Sequence, residues 1–383
     1  MKRSDLLMSY IKNIFLLFIL LSLFCAASCG GRGEISVGIV GDTLRMRNSS
    51  LLTMVECDGY TVVDVANPWG KNLLSRYILV PSDSALPANL PHGNLLRTPL
   101  QRVVLFSGVH ACLLQEIGAS GAIAGVCDSR YMYCSAVADG LAAGGIVDCG
   151  SSLNVDCEAV LQTGADAVFT LPYENGGYGR LGSLGVPLVQ CADYMENTPL
   201  GCAEWMRFYG RLFGKGELCD SLFAIVCAEY DSLCVAASAV GVRPKLMCEM
   251  KGSSAWYVPA GESTMGRMYA DAGADYLFSS YEGSGSVPLS YEVVLDKAAD
   301  ADVWLLKYNS LLEKSLRSLQ EEFAGYSHFA PFKNRCVYAC NTHSKHLFEE
   351  TSFHPERLLK ELVAILHPHL FPNYKCVYYE KMR

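Results

Sequence analysis

The sequence predicts an α/β fold: two lobes built on parallel, doubly wound sheets and joined by one long helix. Three observations carry that reading. Strands and helices alternate from Arg102 to Gln190 and again from Lys245 to Tyr308, the pattern of a parallel sheet. Between these blocks, from Gly201 to about Ala239, the chain is helical in pattern and almost free of turn signals. Finally, two distant stretches read as copies of one design. Asn154-Val155-Asp156-Cys157-Glu158 leads through a short apolar helix to Ala165-Asp166 and a β-rich run. Ser290-Tyr291-Glu292 does the same toward Ala301-Asp302.

The elements follow in order. Residues 35–100 read as an irregular leader, with strands at Thr61–Val65 and Arg76–Val80 before the Pro-rich stretch Pro81–Pro99. Arg102–Phe106 is a strand, followed by a helix around Ala111–Ile117 that Gly118 ends. Ala122–Cys127 is a second strand, and the first glutamate-bearing helix leads to strand Ala167–Leu171. The loop Tyr173–Tyr178 and strand Val186–Gln190 close this lobe. Leu218, Leu222, Ile225, Val226, Glu229 and Leu233 recur near a period of 3.6, which makes a stiff strut of the joining helix. Beyond Pro244 come strand Lys245–Met250, helix Ser263–Ala272, strand Asp275–Phe278, the second glutamate-bearing helix and strand Val303–Tyr308. The amphipathic helix His354–Leu366 lies near the end. The organisation expected is therefore a signal at 1–28, a tether and leader at 29–100, an N-terminal lobe at 101–214, the bridging helix at 215–240 and a C-terminal lobe at 241–383.

Lys2, Arg3 and Lys12 precede an apolar run, Ile14–Phe24, that is too short to span a bilayer and fits a secretory signal. The small residues before Cys29 resemble a bacterial lipobox, which implies cleavage there and acylation of the Cys29 thiol. Losing residues 1–28 removes three cations and one anion (Asp5), moving the net charge from −8 to −10. That acidity argues against nucleic acid as a partner. Hydrophobic residues at 51% and charged residues at 18% provide for a large core. Of 17 cysteines, 15 remain after Cys25 and Cys29, an odd number. Cys127, Cys157, Cys191, Cys227 and Cys248 sit in apolar patterns, where cysteine packs as a small hydrophobe. One or two disulfides are compatible with this count.

The strand Arg102-Val103-Val104 with Ser107, the Glu158…Ala165-Asp166 unit and the Glu292…Ala301-Asp302 unit resemble the substrate-binding proteins of iron-siderophore, haem and cobalamin ABC importers. Ser254–Pro259 and Asp271–Tyr276 look like the versions found in Bacteroidetes lipoproteins of that class. The resemblance covers roughly residues 100–310 and implies two Rossmann-like lobes on one backbone helix. Cys112 stands where that class usually carries a glutamate, and the leader is longer than usual. The resemblance further implies that Glu158 and Glu292 crown the lobes and engage arginines of a permease dimer served by ATPase subunits. The chemistry agrees, because a carboxylate accepts a bidentate, charge-assisted bond from guanidinium. Against that stands the bland alternative that both glutamates merely favour helix N-termini.

Ligands of doubly wound sheets lie beyond the carboxyl ends of the strands. Those ends supply Ser107, Val109 and His110, then Arg130, Tyr131 and Tyr133, then Tyr173, Asn175 and Tyr178, with Lys251, Trp256 and Tyr281 or Tyr308 from the second lobe. The candidate ligand set is Ser107, His110, Arg130, Tyr131, Tyr173, Asn175, Tyr178, Lys251 and Trp256. Aromatic faces with Arg130 and Lys251 suit a large flat or amphipathic molecule bearing acidic oxygens.

Other chemistry finds less support. Cys336-x3-Cys340-x2-His343-x2-His346 has no zinc-finger spacing, and its cysteines read as core positions of a strand. Gly176-Gly177-Tyr178-Gly179 lacks dinucleotide spacing, and neither a G-x-S-x-G elbow nor a Walker loop occurs. Cys112 and His110 face differently and make no nucleophile–base pair. The expectation is a non-enzymatic monomer without cofactor, lipid-anchored in the periplasm, that carries an iron chelate, haem or cobalamin to its importer. Two alternatives remain: a lipoprotein interaction or sensory module on the same fold, and a receptor for bare metal ions.

Overall fold

The computed structural model describes residues 39, 41–174 and 176–383. The chain divides into Met1–Val40 and Gly41–Arg383, and nearly all described structure belongs to the second unit. The signal and Cys29 readings, and that of Asn175, lie outside the described residues.

The first lobe has a five-stranded, wholly parallel sheet in the order Leu188–Gln190, Ala167–Thr170, Val103–Leu105, Ile123–Val126, Val147–Asp148. The second lobe orders its strands Asp275–Tyr276, Lys245–Cys248, Val303–Tyr308, Val337–Asn341, Glu380–Lys381, the last antiparallel. In each, the chain reverses its winding between the first strand and the one after the glutamate-bearing helix. These two switch points, beside Leu105 and Phe169 and beside Cys248 and Leu305, are where such sheets offer a crevice.

The repeated Ala-Asp corner has one structural purpose. Asp166 accepts the backbone N–H groups of Gln101 (2.7 Å) and Arg102 (2.9 Å), while its own N–H donates to the Arg102 carbonyl. Asp302 accepts from the Lys245 N–H (2.8 Å), and its N–H donates to the Lys245 carbonyl. Each aspartate thus pins the start of its lobe's first strand.

The leader is not irregular. Residues 42–98 form a five-stranded sheet: Asp42–Leu44, Leu52–Cys57, Tyr60–Ala66 and Leu73–Pro81 run antiparallel in order, and Asn94–Thr98 adds in parallel. Its inner face is part of the first lobe's core, where Leu52, Met54, Tyr77 and Leu96 pack with Leu105 and Phe169. The Tyr77 hydroxyl donates to the Leu188 carbonyl (3.1 Å) and accepts from the Gln190 N–H (2.7 Å), joining this sheet to the edge of the parallel one. Two buried carboxylates complete the attachment. Glu204 accepts the N–H groups of Arg47, Asn48 and Ser49, and Glu196 those of Ser50 and Leu51 and the Trp205 indole. Buried charge is tolerated there because it is surrounded by donors.

The expected bridging helix spans Gly216–Ser238, about 35 Å at 1.5 Å per residue. Cys219, Phe223 and Val226 in its first half belong to the first lobe's core, and Tyr230 and Ala237 in its second half to the other core. One rigid element is therefore shared by both cores, and Phe353, just before helix Pro355–Leu366, packs in the first of them as well. A second tie is ionic: His354, at the start of helix Pro355–Leu366, lies 2.8 Å from Glu116 of the first lobe and 3.1 Å from Glu356. The described residues hold 15 cysteines, all free and eight of them buried; of the five expected as core filler, Cys127, Cys157, Cys191 and Cys248 are buried and Cys227 is half-buried. Among those residues, no helix is long and apolar enough to cross a membrane.

Candidate functional site

Beside the first lobe's switch point, a cavity of about 500 Å³ opens between the segment after Ser151 and the loop 173–181. Phe106, Leu153, Leu171, Tyr173, Tyr178 and Arg180 contribute to its wall. Leu171 and Tyr173 follow strand Ala167–Thr170, and Phe106 follows Val103–Leu105, so the strand ends deliver them there. Tyr173 is 57% exposed. Tyr178 is half-buried, its hydroxyl 3.4 Å from the Gln190 amide oxygen. The volume and the mostly apolar wall with one cation suit a planar organic ligand.

Arg130 and Tyr131 project from the turn Ser129–Tyr131, with the guanidinium stacked 4.6 Å over the Tyr131 ring. Asp128 before the turn holds a left-handed conformation (φ 52°), fixed by the Ser152 N–H, which donates to its carboxylate at 3.0 Å. The same Ser152 lines the cavity, so the turn and the cavity share a support. Tyr194, just beyond strand Leu188–Gln190, is a further half-exposed ring at a strand end, and its hydroxyl donates to the Pro172 carbonyl.

Two expected ligand residues are structural. Trp256 is fully buried: its indole N–H donates to the Cys248 carbonyl (2.9 Å) and its ring packs with Trp304, Tyr326 and Phe329. Strand Trp256–Pro259 pairs with Ser286–Leu289, and the alternation of that hairpin turns the indole inward while Tyr257 faces out. His110 is also buried, with Nε2 3.1 Å from Asp193, whose carboxylate accepts the Tyr209 hydroxyl at 2.6 Å. Burial opposes charge on His110, but Cys191 and Asp193 outweigh it and raise its pKa to about 10. Helix Gly108–Glu116 carries its third residue toward the lobe's interior, away from any cleft. Ser107 caps that helix, accepting from the Val109 N–H (3.3 Å). The helix start is further covered by the second lobe: a Cβ on Gly108 would lie 3.4 Å from Glu349.

Lys251 belongs to the other lobe's switch point, half-buried, with its ammonium 5.5 Å from the Phe323 ring. Among the described residues, no hydrogen bond, ion pair or ring contact joins it to Arg130, Tyr131, Tyr173 or Tyr178. The sequence reading missed Arg180 and Tyr194. Arg180 lies two residues past Tyr178 in the same glycine-rich loop, and Tyr194 four residues past the strand Leu188–Gln190. Both were discoverable from loop position alone.

Glu158 and Glu292 are exposed and occupy the same place in their helices, one residue into Cys157–Thr163 and into Tyr291–Ala298. Asp156 caps the first helix, accepting from Glu158 and Ala159 at 3.0 Å each, and Ser290 caps the second. The Glu292 carboxyl is held below the usual range by its own backbone amide and the Ser290 hydroxyl. Both helices run into the paired aspartate corners, so both carboxylates stand at equivalent points of equivalent units.

Solved structures share this architecture. A haem-binding periplasmic protein of Vibrio cholerae superposes with a TM-score of 0.56, at 14% identity over 70% of this chain and 99% of that one. The chain has the fold of the TroA-like periplasmic binding proteins. A TroA-like periplasmic binding protein of Veillonella parvula gives a TM-score of 0.55 at 17% identity, covering 75% of this chain and 96% of that one. A possible iron-binding, periplasmic solute-binding protein of Staphylococcus epidermidis gives 0.55 at 14% identity, over 70% and 100%. By sequence, an uncharacterized lipoprotein of Methanocaldococcus jannaschii is 26% identical over 298 residues, 75% of this chain and 70% of that protein. A second such lipoprotein from the same organism is 22% identical over 326 residues, 82% and 80% of the two chains. No family model matches.

Proposed function

We propose that this chain is an extracytoplasmic substrate-binding protein, anchored through Cys29, that captures an iron chelate, haem or cobalamin and hands it to an ABC permease. The observation that carries the reading is the pairing of two equivalent lobes on one shared helix, each presenting an exposed glutamate at the same point. Solved neighbours named for haem and iron binding, and lipoprotein relatives, support the ligand class and the location. The ligand's ring system rests against Tyr173 and Tyr178, with Arg180 and the Arg130–Tyr131 pair meeting its acidic oxygens and Lys251 approaching from the second lobe. Stacking on rings and charge-assisted bonds to guanidinium are the interactions such a molecule offers. No bond in the ligand changes. Closure consists of small rotations about the strut, and Glu158 and Glu292 then dock against permease arginines.

The experiment is a visible spectrum of the protein purified from its own cells, followed by titration with haemin, a ferric siderophore and cobalamin. The three chromophores absorb differently, and the reading expects one of them to bind at a single site. Absence of binding to all three removes it.

A further inference from the structure

The interior of the first lobe holds a corner of three donors that the ligand face does not use. One donor atom each from His110, Cys191 and Asp193 lies within 4.8 Å of the other two, and all three side chains are buried. Among the described residues, no other trio of histidine, cysteine and carboxylate donors comes as close. We propose that His110, Cys191 and Asp193 form a resident zinc site inside the first lobe, separate from the cargo site.

Each donor is delivered by an element that the fold fixes. His110 is the third residue of helix Gly108–Glu116. Cys191 and Asp193 flank Ala192 just past strand Leu188–Gln190, so one turn supplies two donors. Cys202 holds that turn, its thiol donating to the Asp193 carbonyl at 2.8 Å. His110 Nε2 stands 3.1 Å from Asp193 Oδ1. Nitrogen and oxygen bound about 2.0–2.1 Å from a tetrahedral ion stand about 3.3 Å apart, so this pair is already close to the required spacing. The Tyr209 hydroxyl, from helix Met206–Leu212, donates to the same carboxylate oxygen at 2.6 Å and orients it, as outer partners of metal ligands do. His110 Nδ1 has no partner, so the ring's polar contact lies on the Nε2 side. The Cys191 thiol donates to the Val189 carbonyl at 3.5 Å, a long contact within its own strand segment that a metal bond replaces.

Imidazole, thiol and carboxylate are the nitrogen, sulfur and oxygen ligands that zinc combines. Rings enclose the corner: Tyr209, Phe353 and Phe169 lie 5.1, 6.1 and 6.2 Å from the His110 ring, centre to centre. In such surroundings a charge needs a close counter-charge. Burial opposes charge on His110, but Cys191 and Asp193 outweigh it, so the corner favours a cation. On binding, Cys191 releases its thiol proton and His110 its Nε2 proton to solvent, and the dication takes their place. One thiolate and one carboxylate then balance the two charges of the ion.

The test uses the whole mature chain, expressed in zinc-supplemented medium and dialysed. Elemental mass spectrometry counts the zinc, and X-ray absorption at the zinc edge reads its neighbours. The expected result is one zinc per chain, with a single sulfur and otherwise nitrogen and oxygen around it. Cys191→Ser should lose the sulfur neighbour, and Asp193→Asn should lower the zinc content at least tenfold. A wild-type chain that retains no zinc, or zinc with no sulfur or with two or more, overturns the proposal. So does a folded Cys191→Ser chain whose zinc keeps its sulfur. The wild-type count and neighbour set need no variant, so misfolding of either substitution leaves the proposal open to refutation. Binding of haemin, siderophore or cobalamin is a separate measurement, and its failure would leave the zinc result intact.

Discussion

Asp166 and Asp302 make the same bond in the two lobes: each carboxylate receives the backbone N–H that opens its lobe's first strand, Arg102 at 2.9 Å and Lys245 at 2.8 Å. The internal resemblance of the two halves is thus a packing requirement before it is a functional one. A parallel strand needs its neighbour's start held in register, and an aspartate in the preceding corner does this with one side chain. Asp166 serves two amides and Asp302 one. Asp166→Ala should therefore cost about 1–2 kcal/mol and Asp302→Ala less than about 1 kcal/mol, since both sites are partly solvated. Chemical denaturation of the two variants measures the order.

Trp256 and Tyr173 should respond in opposite ways. Trp256→Ala empties a site enclosed by Trp304, Tyr326 and Phe329 and should destabilise the protein by roughly 3–5 kcal/mol. Tyr173→Ala removes an exposed ring and should leave the melting temperature unchanged while weakening ligand affinity about tenfold, the worth of one stacked ring. Paired thermal melts and ligand titrations separate the two.

The tie between the lobes should depend on pH. Burial opposes charge on His354, but Glu116 and Glu356 overcome it and raise the pKa to about 9 from an ordinary 6.5. A raised folded-state value stabilises below the unfolded pKa and loses that contribution as pH climbs through the folded one. Stability should thus be fully present below about pH 6.5 and fall between there and pH 9, by on the order of 2–3 kcal/mol. Denaturation curves across this range should show the fall in the wild type and lose it in His354→Gln.

How much of this was legible follows from where the physics is local. The strut was visible because an unbroken 3.6-residue pattern without turn residues has few other uses, and it runs Gly216–Ser238. The leader sheet was missed although it carries a hairpin signal. Asp58-Gly59 separates Cys57 from its partner Tyr60, and Gly59 takes φ 78°, a left-handed conformation that glycine adopts without steric cost. Its attachment was illegible, because Glu196 and Glu204 bind residues about 150 positions earlier, and no local pattern announces that. Trp256 and His110 were misplaced for a related reason. Position after a strand end gives proximity to a cleft, but whether a side chain turns inward depends on hairpin register and helix phase.

The proposed account is tested most directly by ligand uptake in cells carrying Glu158→Arg together with Glu292→Arg. The account predicts that uptake falls to background while the purified double variant binds ligand as tightly as the parent, because the two carboxylates serve docking alone. Uptake at the parental rate would contradict it.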